Sequence, residues 1–195
     1  MARRIAIIQG HPDPEGGHFC NALAVAYRDG AEAAGHHVDL IETGRMDLPY
    51  LCNKAQWDAP PTDEAVLEMQ RIVGAADHLV ILYPLWLGDM PAVLKSALEH
   101  LSCNGFVMAL DDSGHWQAKL AGKSARVVVT MGMPALVYRL FFLSHSLKSL
   151  ERNILKFSGV KPVRTTLMGQ VDGERSKARR ETWLSQMRRL GSDAA

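Results

Sequence analysis

Five short runs of β-branched and aliphatic residues alternate with helical stretches along this chain. That alternation constrains the fold more than any other feature. The runs are Arg3 to Ile8, His37 to Ile41, Asp77 to Tyr83, Ala125 to Thr130 and Lys161 to Leu167. Near-continuous apolar runs of this length suit strands covered on both faces, as in parallel sheets. Between them the spacing predicts a helix over Phe19 to Ala34, closed by Gly35, and another over Thr62 to Val73, whose first turn carries Asp63 and Glu64. Pro91 to Leu101 starts with proline at the first helical position. A long, mostly apolar helix is expected over Leu136 to Phe157, and an amphipathic one over Glu174 to Leu190, ending at Gly191.

Strands alternating with helices imply a parallel sheet sandwiched between helical layers. Right-handed crossovers then favour a doubly wound sheet. The expected architecture is α/β, a doubly wound five-stranded parallel sheet in the flavodoxin-like order 2-1-3-4-5. The 195 residues suit a single domain spanning 1–195. Two long loops, Glu42 to Pro61 and Ser102 to Gly122, stand out as functional lids or partner surfaces.

Composition excludes several classes. With 22 basic and 21 acidic residues, the net charge of +1 lacks the basic excess of a nucleic-acid binder. The three cysteines Cys20, Cys52 and Cys103 form no CxxC pair, which points to a reducing compartment. The apolar run behind Arg3 and Arg4 is too short for a signal peptide, and Asp89 and Arg139 interrupt the longest apolar stretches. A soluble, cytoplasmic protein without membrane insertion is expected. The histidines have no metal-ligand spacing and HExxH is absent, so no metal is expected.

Ligands of such sheets bind outside the carboxyl ends of the strands. After the first strand comes Gly10-His11-Pro12-Asp13-Pro14-Glu15-Gly16-Gly17-His18-Phe19, a loop of turn formers that opens a helix and suits a phosphate. The same residues also suit an ordinary βα turn with surface histidines. The loop lacks G-x-G-x-x-G, which counts against a dinucleotide-type site. Gly122-Lys123-Ser124 imitates the end of a P-loop but precedes a strand, and Gln117 stands where its first glycine belongs. After the third strand, Pro84-Leu85-Trp86-Leu87-Gly88-Asp89-Met90-Pro91 forms a stiff apolar ledge for a planar aromatic cofactor, with Trp86 as a plain core residue the alternative. After the fourth comes Thr130-Met131-Gly132-Met133, where Gly132 suggests close approach of a ligand or a simple turn. Cys20 reads as a small buried thiol.

These segments together resemble the flavodoxin-fold NAD(P)H:quinone oxidoreductases, a group that includes ancillary flavoproteins of potassium-efflux systems and modulators of drug activity. Ile7-Ile8-Gln9-Gly10-His11-Pro12 is similar to their opening strand. Asp77 onward to Leu101 is similar to their most specific segment, a strand, an aromatic ledge and Met-Pro-Ala-x-Leu-Lys. The resemblance runs over roughly Ile5 to Arg189. It implies FMN, with FAD the alternative, and NAD(P)H as electron donor. It implies phosphate contacts from His11, His18, Phe19 and Asn21. Ring contacts would come from Pro84, Leu85, Trp86 and Leu87, and from Thr130, Met131, Gly132 and Met133. Thr-Met-Gly-Met stands here where many members have Thr-Thr-Gly-Gly.

The resemblance further implies catalytic roles for Tyr138 and His145 facing the flavin and substrate, with a core or interface position the alternative for both. Trp86 and Phe106 are expected to wall the acceptor. The implied activity is two-electron hydride transfer from NAD(P)H to a quinone or related electrophile by a ping-pong mechanism. A flavin- or nucleotide-binding regulatory subunit of a membrane transport system is the second reading, and a one-electron carrier the third. A homodimer is implied as well. Leu136 to Leu143 (LVYRLFFL) is apolar enough to cover a dimer contact or to be a fully buried helix.

Overall fold

The computed structural model describes residues 1–173 and 176–195. Five parallel strands form the central sheet: β1 (Arg4–Gln9), β2 (His37–Glu42), β3 (His78–Pro84), β6 (Ser124–Met131) and β7 (Val163–Gly169). Their spatial order is β2-β1-β3-β6-β7. Counted along the chain within this sheet, that is the expected order 2-1-3-4-5. The two intervening strands, β4 (Met108–Leu110) and β5 (Trp116–Ala118), form a separate antiparallel hairpin.

The strand pattern is what a sheet buried on both faces requires. In β1, Ile5 and Ile7 face one apolar cluster while Ala6 and Ile8 face the other. In β3, Val80 and Leu82 join the first, and Leu79, Ile81 and Tyr83 the second. This is the period-2 alternation of a pleated strand, with both sides apolar.

One layer consists of α1 (Phe19–Ala33) and α7 (Lys177–Ser192), packed on each other and on the first cluster. The other is built from α3 (Glu64–Ala75) and α4 (Ala92–Ser102), together with the segment after β6. Gly35 closes α1 with φ +84°, as its position suggests. The start of the last helix, expected at Glu174, lies outside the described residues, as does Arg175. Gly191 does not end that helix. It lies inside α7, where an added Cβ would sit 2.0 Å from the Tyr27 carbonyl oxygen of α1. Gly30 does the same from the other side, 2.0 Å from the Arg188 carbonyl. The glycines serve a backbone-to-backbone helix crossing.

Two further expectations need correction. α3 starts at Glu64 and not at Thr62, and Asp63, expected in its first turn, is its cap: the Asp63 carboxylate accepts from the Ala65 and Val66 N–H groups at 2.9 and 3.2 Å. Leu136 to Phe157 is not one helix. It divides into α5 (Ala135–Leu140), α6 (His145–Lys148) and a π-helical stretch Ser149–Lys156. Leu143 and Ser144, both at φ 51°, reverse the chain between them. The Tyr138 hydroxyl fixes that reversal, accepting from the Leu147 N–H at 3.1 Å and meeting Ser146 Oγ at 2.7 Å. In the π stretch Lys156 pairs with Glu151 at 2.6 Å, an i,i+5 spacing that five-residue hydrogen bonding favours. The loop after β2 also contains a short helix, α2 (Lys54–Asp58), capped by Asn53.

Candidate functional site

A cavity of about 230 Å³ opens at the carboxyl ends of β1, β3 and β6. His11, His18, Phe19 and Cys20 line it from the first loop and the start of α1. Pro84, Leu85 and Trp86 line it from the end of β3, and Thr130, Met131 and Gly132 from the end of β6. Val171 and Asp172 complete it from the loop after β7.

Main-chain hydrogen bonds lock the three later loops together. Leu85 N–H donates to the Thr130 carbonyl at 2.8 Å, Val171 N–H to Met131 at 3.2 Å, and Gln170 N–H to Met133 at 3.0 Å. The β3 ledge is a tight turn in which Trp86 and Asp89 exchange main-chain hydrogen bonds at 2.8 and 2.9 Å. Its central residues Leu87 and Gly88 have φ of 47° and 81°, the signature of a primed turn. Trp86 is 52% exposed, so its ring is a wall of the site and not core.

The first loop is held by its own polar side chains. The His11 and His18 rings stack with centroids 3.8 Å apart, and Trp86 meets His11 edge-on at 6.0 Å. His18 Nε2 pairs with Asp13 at 2.7 Å, which lowers the Asp13 carboxyl below its ordinary range. Burial, then the His18 ring, pushes His11 below its usual pKa, and Asp13 opposes this. Cys20 Sγ meets Thr130 Oγ1 at 3.2 Å, tying α1 to β6 beneath the cavity. Burial raises the Cys20 thiol to about 11, so it stays protonated at neutral pH. Gly132 accommodates Asp172, whose Oδ2 would lie 2.6 Å from an added Cβ.

The structure brings most of the expected site residues to this cavity, but not all. Asn21 lies off it; its carboxamide oxygen accepts from the His18 N–H at 3.3 Å and stiffens the loop. The Leu87 side chain projects fully into solvent. Met133 packs against the sheet cluster and reaches the site through its backbone alone. Phe106 is not a wall of this cavity: it packs into the α3–α4 side of the core, beside Gly74. Tyr138 does not face the cavity either. It is fully buried, and its hydroxyl is committed to the turn after α5. His145 starts α6 on the surface, outside the cavity lining. Val171 and Asp172 were not singled out from the sequence, though they follow a strand end as the other lining segments do.

The residues present fit a flavin. A groove of this size, near the lower end of the ~300–1,000 Å³ usual for ligand sites, leaves a bound planar ring partly exposed. The stacked histidines and the helix start at one end match a phosphate, and the Pro84–Trp86 ledge matches a ring face. Among the described residues, no cluster of three or more His, Cys, Asp or Glu is arranged to hold a metal ion.

A family model described as Flavodoxin_2, flavodoxin-like fold, matches residues 3–190. The chain is 30% identical over 132 residues to a ribosyldihydronicotinamide dehydrogenase [quinone] of Mus musculus, covering 65% of this chain and 56% of that protein. It is 28% identical over 106 residues to an uncharacterized NAD(P)H oxidoreductase of Haemophilus influenzae, covering 54% and 52%. It thus spans little more than half the length of the curated relatives it matches. Among solved structures, an NAD(P)H:quinone oxidoreductase from Methanothermobacter marburgensis superposes with a TM-score of 0.84 at 23% identity, over 100% of both chains. An FMN-dependent NADH-azoreductase from Bacillus anthracis does so with a TM-score of 0.73 at 16% identity, again over 100% of both. At such identities the two superpositions establish the shared fold.

Proposed function

Because the chain belongs to the Flavodoxin_2 family of flavodoxin-like folds, we propose that it is a flavin-dependent NAD(P)H:quinone oxidoreductase that uses FMN and acts in the cytoplasm. The observation that carries this reading is the groove itself, where three strand-end loops bring stacked histidines, an apolar ledge and an exposed Trp86 together. The names of the mouse and Haemophilus relatives support the nicotinamide and quinone chemistry, and that of the azoreductase neighbour supports FMN.

Bound flavin supplies two-electron chemistry, taking a hydride from a reduced nicotinamide and passing it to a quinone-like acceptor. The protein supplies position. His11, His18 and the start of α1 hold the phosphate end, with Asp13 orienting His18. Pro84, Leu85 and Trp86 support the ring, and Trp86 excludes water from one edge. The Thr130–Gly132 backbone borders the groove, and the Gly132 N–H, beyond the end of β6, would be the donor to a bound ring. The groove opens on one side, so donor and acceptor occupy it in turn, and ping-pong kinetics follow.

Leu136, Val137, Leu140, Phe141, Phe142 and Leu143 are all exposed on and after α5, with Phe141 at 78%. This removes the fully buried helix as an alternative for that segment. Contiguous exposed apolar residues of this kind are a mark of an interaction surface. It belongs, on this reading, to a homodimer contact. Light scattering at micromolar concentration tests the dimer, and a monomer would count against it.

The central test is the visible spectrum after incubation with FMN or FAD and desalting. A retained flavin spectrum bleached by NAD(P)H, with steady oxidation once a quinone is added, is expected. Failure to retain flavin would overturn the proposal. Retention with negligible turnover would favour the regulatory reading instead.

A further inference from the structure

Among the described residues, the lining of the flavin groove includes one carboxylate, that of Asp172. It stands on the loop after β7. Gly132, just beyond the end of β6, makes room for it: a Cβ there would lie 2.6 Å from Asp172 Oδ2. Glycine at this position lets an acidic side chain lie against the main chain that borders the ring site.

The backbone fixes that placement. Gln170 N–H donates to the Met133 carbonyl at 3.0 Å, and Val171 N–H to the Met131 carbonyl at 3.2 Å. Behind them the Val171 carbonyl accepts from Arg180 Nε and Nη2 at 2.9 and 2.6 Å, and from Ser176 Oγ at 2.9 Å. The Asp172 carboxylate itself makes no hydrogen bond and no ion pair among the described residues. Arg180, the cation bound to the neighbouring carbonyl, is committed there and over the Phe19 ring, 5.9 Å from its centroid. An exposed carboxylate keeps its water and costs the fold little. This one, however, is unpaired on a rigid loop at the wall of a cofactor groove.

The other titratable groups of the lining do not offset its charge. Burial holds His11 below its usual pKa, so its ring is neutral at physiological pH. His18 already pairs with Asp13, and burial keeps the Cys20 thiol protonated. A hydride carries two electrons and one proton. Its arrival therefore makes the contents of the groove more negative by one unit, and its departure to an acceptor removes that unit. A like charge at the wall opposes the loaded state and leaves the unloaded one nearly unchanged.

We propose that the Asp172 carboxylate holds the reduction potential of the bound flavin low by opposing the charge that arrives with the hydride, so that the hydride passes on readily to the acceptor. The inference rests on the flavin reading. It assigns Asp172 to the redox balance of the groove and not to its grip on the cofactor.

The test compares FMN-loaded wild type with Asp172→Asn, Asp172→Ala and Asp172→Glu at neutral pH and low salt. Fluorescence quenching gives the affinity for oxidised FMN, and equilibration with a dye of known potential gives the two-electron midpoint. Removing the charge should favour the reduced form about tenfold, an upward shift of about 30 mV for a two-electron couple. Asn and Ala should shift alike, with affinity for oxidised FMN changing much less. Glu keeps the charge and should stay near the wild-type potential. Raising the salt should narrow the difference. All three variants should fold, since the carboxylate gives up no hydrogen bond, and melting of the flavin-free proteins checks this. An unchanged potential in Asn and Ala overturns the proposal. So does a rise in Asn alone, which would come from its new amide donor, or a rise in Glu as large as that in Asn. Parallel loss of affinity for oxidised and reduced FMN also overturns it, since Asp172 would then only hold the cofactor. Wild type that retains no FMN brings down the flavin reading and this inference together, a result seen before any variant is made.

Discussion

The His11 imidazole lies flat on that of His18, centroid to centroid at 3.8 Å with 15° between the planes. Two stacked rings cannot both charge cheaply unless an anion sits over them. His11 is already held below its ordinary pKa, chiefly by burial. A histidine depressed in the folded state binds its proton more readily when unfolded. Its contribution to stability is therefore present above about pH 6.5 and lost as the pH falls below it. In an NMR titration His11 should titrate below the ordinary range in the free protein and move upward when FMN is added. No upward movement would count against a phosphate at this pair.

His78 should produce a second, steeper acid limb. Its pKa falls to about 4 in the folded state. Stability should thus drop between pH 6.5 and 4, by on the order of 3 kcal/mol across the window. Urea melts in chloride buffer at pH 7 and pH 4.5 measure this. His78→Gln should flatten that limb, while an unchanged slope would assign the acid sensitivity to other groups.

Leu87 holds φ at 47° with its side chain in solvent, so it bears left-handed strain without the compensation of burial. Leu87→Gly relieves the strain at some cost in unfolded-chain entropy. The net gain should be about 0.5–1 kcal/mol, read from denaturant midpoints. A loss of stability would show that the side chain is covered in the working protein, for instance at an interface.

Gly44 supports the first loop from below. An added Cβ would lie 2.6 Å from the His11 carbonyl oxygen and 2.8 Å from that of Pro12. Gly44→Ala must therefore displace the backbone that carries His11. We expect a stability loss of about 1–3 kcal/mol and at least tenfold weaker FMN binding, measured by flavin fluorescence quenching. Normal FMN affinity in a destabilised variant would separate this loop from the cofactor.

Tyr138→Phe should act on the fold more than on chemistry. It strips the Leu147 N–H and Ser146 of their shared partner in a buried place, a cost of about 1–3 kcal/mol. The two half-reactions, followed by stopped flow with saturating flavin, should keep their rates. A large loss in either rate with unchanged stability would restore Tyr138 to the reaction.

The sheet was legible because a strand buried on both faces has little choice of residues: RIAIIQ and HLVILYP read as what they are. The groove was legible for a related reason, since a doubly wound sheet places its ligand beyond the strand ends. What escaped the sequence reading depends on single backbone angles or on contacts distant along the chain. Nothing in Leu143-Ser144 announces two consecutive left-handed residues. The Leu136–Phe157 stretch therefore read as one helix. The β4–β5 hairpin is too short and too exposed to leave a periodic trace. Gly191 had the look of a helix stop, and only the approach of α1 explains it. Asp172 was missed because no motif marks it, although the last strand of the sheet ends beside it.

The open side of the groove, with Trp86 half in water and Leu87 beyond it, bears on selectivity. A closed pocket sieves by size, because an oversized molecule must push packed atoms aside. This groove imposes no such toll, so a lone subunit would discriminate among flat acceptors only by how well they stack. Any finer choice of substrate is then a property of whatever closes the open side, and substitutions there would change which compounds react without touching the flavin's own contacts.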